Sequence, residues 1–284
     1  MKILACIDSS RYAVSVCDHA AWAATQMSVP VELLHVLERH ATDPKIAADR
    51  SGRLGVDSRG ALLKELIALD EQRNRLEQQA GRHLLDEAAA EVREGGISDI
   101  KQRLVHGELV DHLPEHEVDA AVIIIGQRGE SEDHAELHLG RNVERVIRAS
   151  HKPVLVVAQQ FRPVTRLLVA YDGGFGAEKA ITFLLNEPLL TGAECHLLTV
   201  GNGSDNEQTR LAHAATRLRD AGYIVTESIR PGEPDHVIPE VVEASGVDLL
   251  VVGAYGHSRV RPLIIGSTTT TLLRTCPTSM LIIR

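Results

Sequence analysis

A glycine-rich segment near the C-terminus has the composition of an anion-binding loop. Its pattern is Gly-x2-Gly-x9-Gly-Ser, formed by Gly253, Gly256, Gly266 and Ser267 and followed by Thr268. Glycine lets the backbone approach a ligand closely, and amides at the start of a helix attract anions. Gly253 directly follows an apolar run of strand length. We therefore predict a phosphate site here, with the Ser267 and Thr268 hydroxyls as further donors.

An aspartate at the end of a predicted strand supplies the other half of this candidate site. Residues 166–171 are mostly apolar and precede Asp172, whose carboxylate can accept hydrogen bonds from ribose hydroxyls. The carboxyl ends of adjacent strands form the ligand crevice of open α/β sheets, so this pair can hold a nucleoside and its phosphates together. His257 and Arg259 are candidates for phosphate contact, although loop solvation explains them about as well. The simpler alternative is that the glycines shape turns and Ser267 caps a helix.

The elements that position these residues belong to an internal repeat. Residues 2–8, which end in Asp8, recur as residues 166–172, which end in Asp172. Further landmarks recur in the same order: 31–36 with 194–200, 106–108 with 231–233, 119–126 with 248–253, and 152–157 with 276–283. Two copies of one domain are therefore predicted, at residues 1–159 and 164–284.

Each copy has the pattern of an α/β fold. Five short β-branched runs alternate with segments of helical composition, which predicts a doubly wound domain with a five-stranded parallel sheet covered by helices. Helices are predicted at residues 12–27, 111–116, 141–150, 178–190, 235–245 and 268–275. The first copy also contains an insertion at about 38–94. Its residues 62–92 predict a long amphipathic helix, and 41–60 predict a loop that is a surface excursion or a lid.

Composition narrows the classes of function. The 284 residues include 30 Lys and Arg against 39 Asp and Glu, a net charge of −9, so neither nucleic acid nor an anionic membrane is an expected partner. No apolar run approaches membrane-spanning length, and we expect a cytoplasmic protein. The four cysteines form no C-x-x-C pair, which favours buried, reduced thiols.

Several families of enzyme lack their signatures in this chain. There is no Gly-Lys dipeptide for a P-loop, no G-x-S-x-G and no H-E-x-x-H. The histidine pairs 112/116 and 134/138 have i,i+4 spacing, but Pro114 interrupts one and a charged segment holds the other. We interpret these histidines as solvent-facing, and we predict no metal site built from protein side chains.

On these residues the chain resembles the universal stress protein family in its tandem, two-domain form. The resemblance implies ATP binding in some members, with AMP or ADP as alternatives, and pairing of the domains through their last strands. It also implies that Ala170, Tyr171, Asp172 and the backbone near Val200 surround adenosine. The glycine segment with Ser267 and Thr268 would then hold the phosphates, which would in turn bind Mg²⁺.

The first copy departs from this pattern. Gly126 and Gly129 are followed, after ten residues, by Gly140, and Arg141 and Asn142 stand where the second copy continues with serine. Asp8 and Val36 are retained as equivalents of Asp172 and Val200. Arg128 or Arg141 could bind an anion directly, or could simply lie on a solvated face. The first copy therefore predicts a weaker, altered or empty site.

The predicted function is a nucleotide-binding stress protein that acts through conformation or partners. One alternative is an interaction module without nucleotide, in which the insertion supplies the partner surface. Another is a slow ATP hydrolase in which Asp172 or His257 positions water. The protein partner is not specified by the sequence, and exposed edges of the terminal strands suggest a homodimer.

Overall fold

The computed structural model describes residues 1–37, 56–129, 140–254 and 266–284. The first half contains β1 (Lys2–Cys6), α1 (Ala13–Met27), β2 (Val31–Leu37), α2 (Val56–Glu94), β3 (Ile100–His106), α3 (Leu109–His116), β4 (Ala120–Gly126), α4 (Arg141–Ala149) and β5 (Val154–Val157). The second half contains β6 (Arg166–Ala170), α5 (Phe175–Asn186), β7 (Glu194–Val200), α6 (Asp205–Asp220), β8 (Ile224–Arg230), α7 (Pro234–Ser245), β9 (Leu249–Gly253), α8 (Ser267–Thr275) and β10 (Ser279–Ile283).

All ten of these strands form one sheet in the order β3-β2-β1-β4-β5-β10-β9-β6-β7-β8. The five strands of each half are parallel, as predicted, and the halves join where β5 and β10 run antiparallel with Met280 opposite Val156. The last strands therefore pair with each other, as the resemblance implies. The expectation that they offer free edges is wrong, because β5 and β10 each have neighbours on both sides. In the described chain, the edges belong to β3 and β8.

Helices cover both faces of this sheet, so each half is doubly wound. One face packs against α1, α2, α5 and α6, and the other packs against α3, α4, α7 and α8. Every residue of the central strand β4 is buried, which explains its uninterrupted apolar sequence. Within the described residues, no helix is both long and apolar enough to span a membrane. The four cysteines are buried and unpaired.

The helix predictions are confirmed with three corrections. The predicted helix 178–190 begins earlier, at Phe175, and ends at Asn186, because Pro188 opens a separate 3₁₀ turn, Pro188–Leu190. The long insertion helix begins at Val56, so residues 56–60 are helical and not loop, and 41–55 extend outside the described residues. Helix α6 was missed, although Ser204 and Glu207 form a capping box at its start.

Candidate functional site

The predicted nucleoside and phosphate landmarks meet at a topological switch point. Strands β6 and β9 are adjacent, with Ala170 opposite Val252, but the chain continues from them to opposite sides of the sheet. Diverging connections leave a crevice at the carboxyl ends of such strands. Asp172 follows β6 and Gly253 ends β9, so the structure brings both to one edge.

Asp172 lies in a tight turn that leads into α5. Its side chain is exposed, and Oδ1 accepts a hydrogen bond of 2.7 Å from the Gly174 amide. Gly173 has φ of +68°, a left-handed conformation that favours glycine, and Gly174 is the N-cap of α5. This turn fixes the carboxylate at the mouth of the crevice.

Two half-buried apolar side chains lie behind this carboxylate. Ala170 and Val200 pack on the same face of the sheet, at the ends of neighbouring strands. Such a floor suits a flat, weakly polar ring, because a ring packed there removes the exposed apolar surface of both side chains from water.

Tyr171 does not join that floor. Its side chain is buried on the opposite face of the sheet, where the hydroxyl donates to Glu178, which in turn contacts Arg217 at 2.8 Å. Burial and the Glu178 carboxylate raise the pKa of Tyr171. The Tyr171 carbonyl also accepts a 2.8 Å hydrogen bond from Thr199 Oγ1. Tyr171 therefore supports the Asp172 turn from behind and does not line the crevice.

The phosphate half of the site is the N-terminus of α8. Gly266 is its N-cap, and no side-chain hydrogen bond caps this helix within the described residues. The Gly266 amide lies 3.5 Å from the Ala254 carbonyl, which ties the helix start to the end of β9. Ser267 is exposed and Thr268 is half-buried. First-turn amides without a capping side chain suit an anion through hydrogen bonding and the helix dipole.

The described glycines of the motif have different physical roles. A Cβ on Gly253 would lie 2.2 Å from the Gly176 carbonyl carbon, so the close approach of α5 by itself requires glycine at this position. Among the described residues, the nearest atom to a Cβ on Gly266 would be Thr269 Oγ1 at 3.8 Å. The predicted contacts Gly256, His257 and Arg259 lie outside the described residues.

The first half holds its aspartate differently. Asp8 is half-buried, and Oδ1 accepts hydrogen bonds from the Ser10 amide (3.1 Å) and the Ser10 hydroxyl (2.6 Å). A Cβ on Gly129 would lie 3.2 Å from Asp8 Oδ2, so the glycine backbone also packs against this carboxylate. Val36 is half-buried on the same face as Val200. Ser10 thus donates twice to one oxygen of Asp8, and the Gly129 backbone lies against the other.

The other two glycines of the first motif are also packed. A Cβ added to Gly126 would lie 2.7 Å from Tyr12 Cβ, and a Cβ added to Gly140 would lie 3.2 Å from the Gln127 carbonyl oxygen. The Gly140 amide donates to that carbonyl at 3.1 Å, which positions the start of α4. The loop between Gly129 and Gly140, like the side chain of Arg141, lies outside the described residues.

The side chains of the histidine pair 112/116 have separate partners. His112 Nε2 lies 3.0 Å from the His106 carbonyl, whereas His116 Nδ1 lies 2.6 Å from Glu32 Oε1. His116 is buried, so the expectation that both side chains face solvent is wrong for it. No group of three His, Cys, Asp or Glu in the described ranges is arranged to hold a metal ion. His134 and His138 fall outside those ranges.

Two residues of α6 that the sequence interpretation missed border the crevice. Arg210 Nη1 lies 3.5 Å from the Gly173 carbonyl, beside the Asp172 turn. The Glu207 carboxylate packs on Gly201, the residue after Val200. The capping pattern at Ser204 and Glu207 was the available signal that a helix begins next to this crevice.

The fold and this crevice define a class: tandem, doubly wound α/β proteins with an anion-suited helix N-terminus beside a strand-end aspartate. The model of the universal stress protein family matches residues 1–158 and 202–284, and the chain belongs to that family. It is 35% identical to universal stress protein Slr1230 of Synechocystis sp. over 275 residues, 96% of each chain.

Solved structures show the same fold. A universal stress protein from Archaeoglobus fulgidus superposes with a TM-score of 0.72 at 20% identity, over 100% of this chain and 98% of that one. A putative universal stress protein from Pseudomonas aeruginosa gives a TM-score of 0.62 at 17% identity, over 99% and 92% of the two chains.

Proposed function

We propose that the second half of this stress protein binds an adenine nucleotide, ATP foremost and AMP or ADP as alternatives. The observation that supports this is the juxtaposition, at one switch point, of the exposed Asp172 carboxylate and the start of α8, which no side chain of the described residues caps. In this proposal the domains are residues 1–159 and 164–284, the protein is cytoplasmic, and bound nucleotide changes its conformation or its choice of partner.

Each group at the crevice has a distinct role in this proposal. Asp172 accepts hydrogen bonds from the ribose hydroxyls, while Ala170 and Val200 pack against the base. The first-turn amides of α8, with Ser267 and Thr268, hold the phosphates. Mg²⁺ would neutralise phosphate charge through phosphate oxygens and water, which matches the lack of a carboxylate cluster in the described chain.

The first half is proposed to bind nucleotide weakly or not at all. Asp8 is half-buried, with Ser10 bonded to Oδ1 and the Gly129 backbone beside Oδ2, whereas Asp172 is exposed. Arg141 also stands where the second half has Ser267. Calorimetric titration of nucleotide-stripped protein with ATP and Mg²⁺ tests both parts of the proposal. One site per chain is expected. Two sites would contradict the assignment of the first half, and no binding of ATP, ADP or AMP would overturn the proposed function.

We expect Asp172→Ala to weaken ATP binding about tenfold or more, because it removes charge-assisted hydrogen bonds to the ribose. The matched control is Asp8→Ala, which removes the equivalent carboxylate of the first half. Titration with ATP should leave the Asp8 variant at wild-type affinity. Equal losses in both variants would show that the aspartates act through the fold and not through contact with the ligand.

Gly266→Val is expected to lower ATP affinity about tenfold while the protein stays folded. Gly266 has φ of −59° and ψ of 146°, which valine can adopt, and no atom of the described residues lies within 3.8 Å of an added Cβ. The added methyl groups would then occupy volume in front of the α8 amides. Thr271→Val, within the same helix, is the control for its stability. Unchanged ATP affinity in folded Gly266→Val protein would show that the start of α8 does not contribute to the nucleotide site.

A further inference from the structure

The long helix α2 extends beyond the folded body of the first half. Residues 64–76 are all exposed, and Gly81 is the first buried residue that follows them. The Gln78 side chain lies 3.4 Å from His106, the last residue of β3, so the helix passes the carboxyl edge of the sheet at that point. We call residues 64–76 the arm. At 1.5 Å per residue it is about 20 Å long.

The arm exposes a stripe of large apolar side chains. The exposed fractions are 38% for Leu66, 56% for Leu69 and 57% for Leu76. Their spacing, together with Arg73, follows the alternation of three and four residues that forms a coiled-coil seam. A lone helix of this length is marginal in water, so an apolar seam without a partner is costly.

The seam is separate from the face that packs on the body. Helical periodicity places the buried positions of α2 on a side roughly 150° around the axis from Leu69 and Leu76. These positions are Gly81, Leu85, Ala88, Ala89 and Val92. A second helix can therefore lie along the seam without displacing the strands.

The order of residues in the seam is self-complementary. Leu66, Leu69, Arg73 and Leu76 lie at −5, −2, +2 and +5 relative to position 71. A two-fold axis at that position brings Leu66 opposite Leu76 of an antiparallel copy, and Leu69 opposite Arg73. We propose that the arm binds the arm of a second copy of this chain as an antiparallel two-helix coil.

The charges beside the seam fit the same arrangement. Arg73 Nε contacts Glu77 Oε1 of its own helix at 2.7 Å, and the antiparallel copy brings its Asp70 alongside this arginine. The symmetry generates two such contacts between Arg73 and Asp70. Glu71, at the centre, points away from the seam by helical periodicity, whereas the two Asp70 carboxylates lie beside the axis, each next to the Arg73 of the other copy.

Sedimentation velocity over a range of protein concentrations tests the interface. We expect wild-type protein to shift from 30.9 kDa towards twice that mass as concentration rises. Leu69→Glu with Leu76→Glu should raise the dimer dissociation constant at least about tenfold, because glutamates would be buried in the seam. The control Ile67→Glu alters an equally exposed apolar residue of the arm, outside the seam, and should dimerise like the wild type.

A charge exchange tests that the partner is a second copy. Asp70→Arg and Arg73→Asp should each be largely monomeric alone, because like charges then face each other across the axis. An equimolar mixture should form heterodimers, since both contacts become Arg with Asp. Native mass spectrometry of the mixture separates the species, and this result stands even if the double glutamate variant folds poorly.

Two results would overturn the proposal. One is a wild-type protein that remains at the mass of a single chain up to its solubility limit. The other is a dimer that the seam substitutions and charge exchanges leave unchanged, which would place the interface elsewhere. Neither result depends on nucleotide, because the experiments are made on stripped protein.

Discussion

Replacing Gly253 by alanine is expected to lower the free energy of unfolding by about 3 kcal/mol. The added Cβ would lie 2.2 Å from the carbonyl carbon of Gly176, 2.5 Å from its oxygen and 2.7 Å from the Ala177 amide nitrogen. Those are backbone atoms in the first turn of α5, so a rotamer change cannot relieve the overlap. The helix itself must move away from β9.

Urea denaturation followed by circular dichroism measures this loss. Gly266→Ala is the matched control, because its Cβ has no neighbour closer than 3.8 Å in the part of the chain that the structure describes. It should change stability by less than about 0.5 kcal/mol. A Gly253→Ala protein that unfolds at the wild-type midpoint would contradict the close packing of α5. The variant should also bind ATP less tightly, since Gly174 at the start of α5 donates to Asp172.

The contrast between these two glycines shows where a motif stops being informative. Both positions are glycine in the motif. The motif alone does not show whether glycine is needed because a helix backbone packs there or because a ligand binds there. Gly253 was predicted to lie close to a ligand, and in the structure its nearest constraint is α5. Only the spatial neighbours, which come from residues 77 positions earlier in the chain, separate the two explanations.

Local periodicity predicts much of the fold and part of the site. The repeat of residues 2–8 at 166–172 correctly identifies two equivalent strands, because buried parallel strands are continuous apolar runs. The same periodicity argues against grouping Tyr171 with Ala170, since neighbouring strand residues point to opposite faces. That alternation predicts that the Tyr171 side chain lies on the opposite face of the sheet from Ala170.

Contacts between distant segments limit what the sequence can predict. His116 was expected to face solvent because acidic and polar residues surround it in sequence, yet it is buried against Glu32, 84 residues away. A buried polar pair of this kind is satisfied only by tertiary structure. Helix α6 was missed for a related reason: its exterior is strongly polar, and only a few alanines and leucines face the sheet.

The junction between the two halves contains a histidine that should make the protein sensitive to acid. His19 is 1% exposed, and its Nδ1 donates to the Ser15 carbonyl at 2.7 Å. Its Nε2 then accepts from Ser279 Oγ of β10 at 3.1 Å, and the same hydroxyl accepts from the Ala158 amide. The neutral ring thus bridges α1 of the first half and β10 of the second.

Acidification is expected to destabilise this junction. Burial lowers the pKa of His19 from 6.5 to about 4, although the bond to Ser15 partly opposes the shift. Below pH 6.5 the unfolded chain binds a proton at His19, whereas the folded chain binds it only near pH 4. The contribution of His19 to the free energy of unfolding therefore falls as the pH decreases from 6.5 to 4. The loss amounts to about 2 kcal/mol at pH 5 and about 3 kcal/mol at pH 4.

The measurement is the free energy of unfolding at pH 7 and at pH 5, compared between the wild type and His19→Gln. Glutamine keeps a polar side chain at this position but cannot titrate, so the difference between the two pH values should shrink by about 2 kcal/mol. His213→Gln removes an exposed histidine of α6 and should leave that difference unchanged. An identical pH dependence in all three proteins would show that His19 takes up its proton as readily in the folded chain as in the unfolded one.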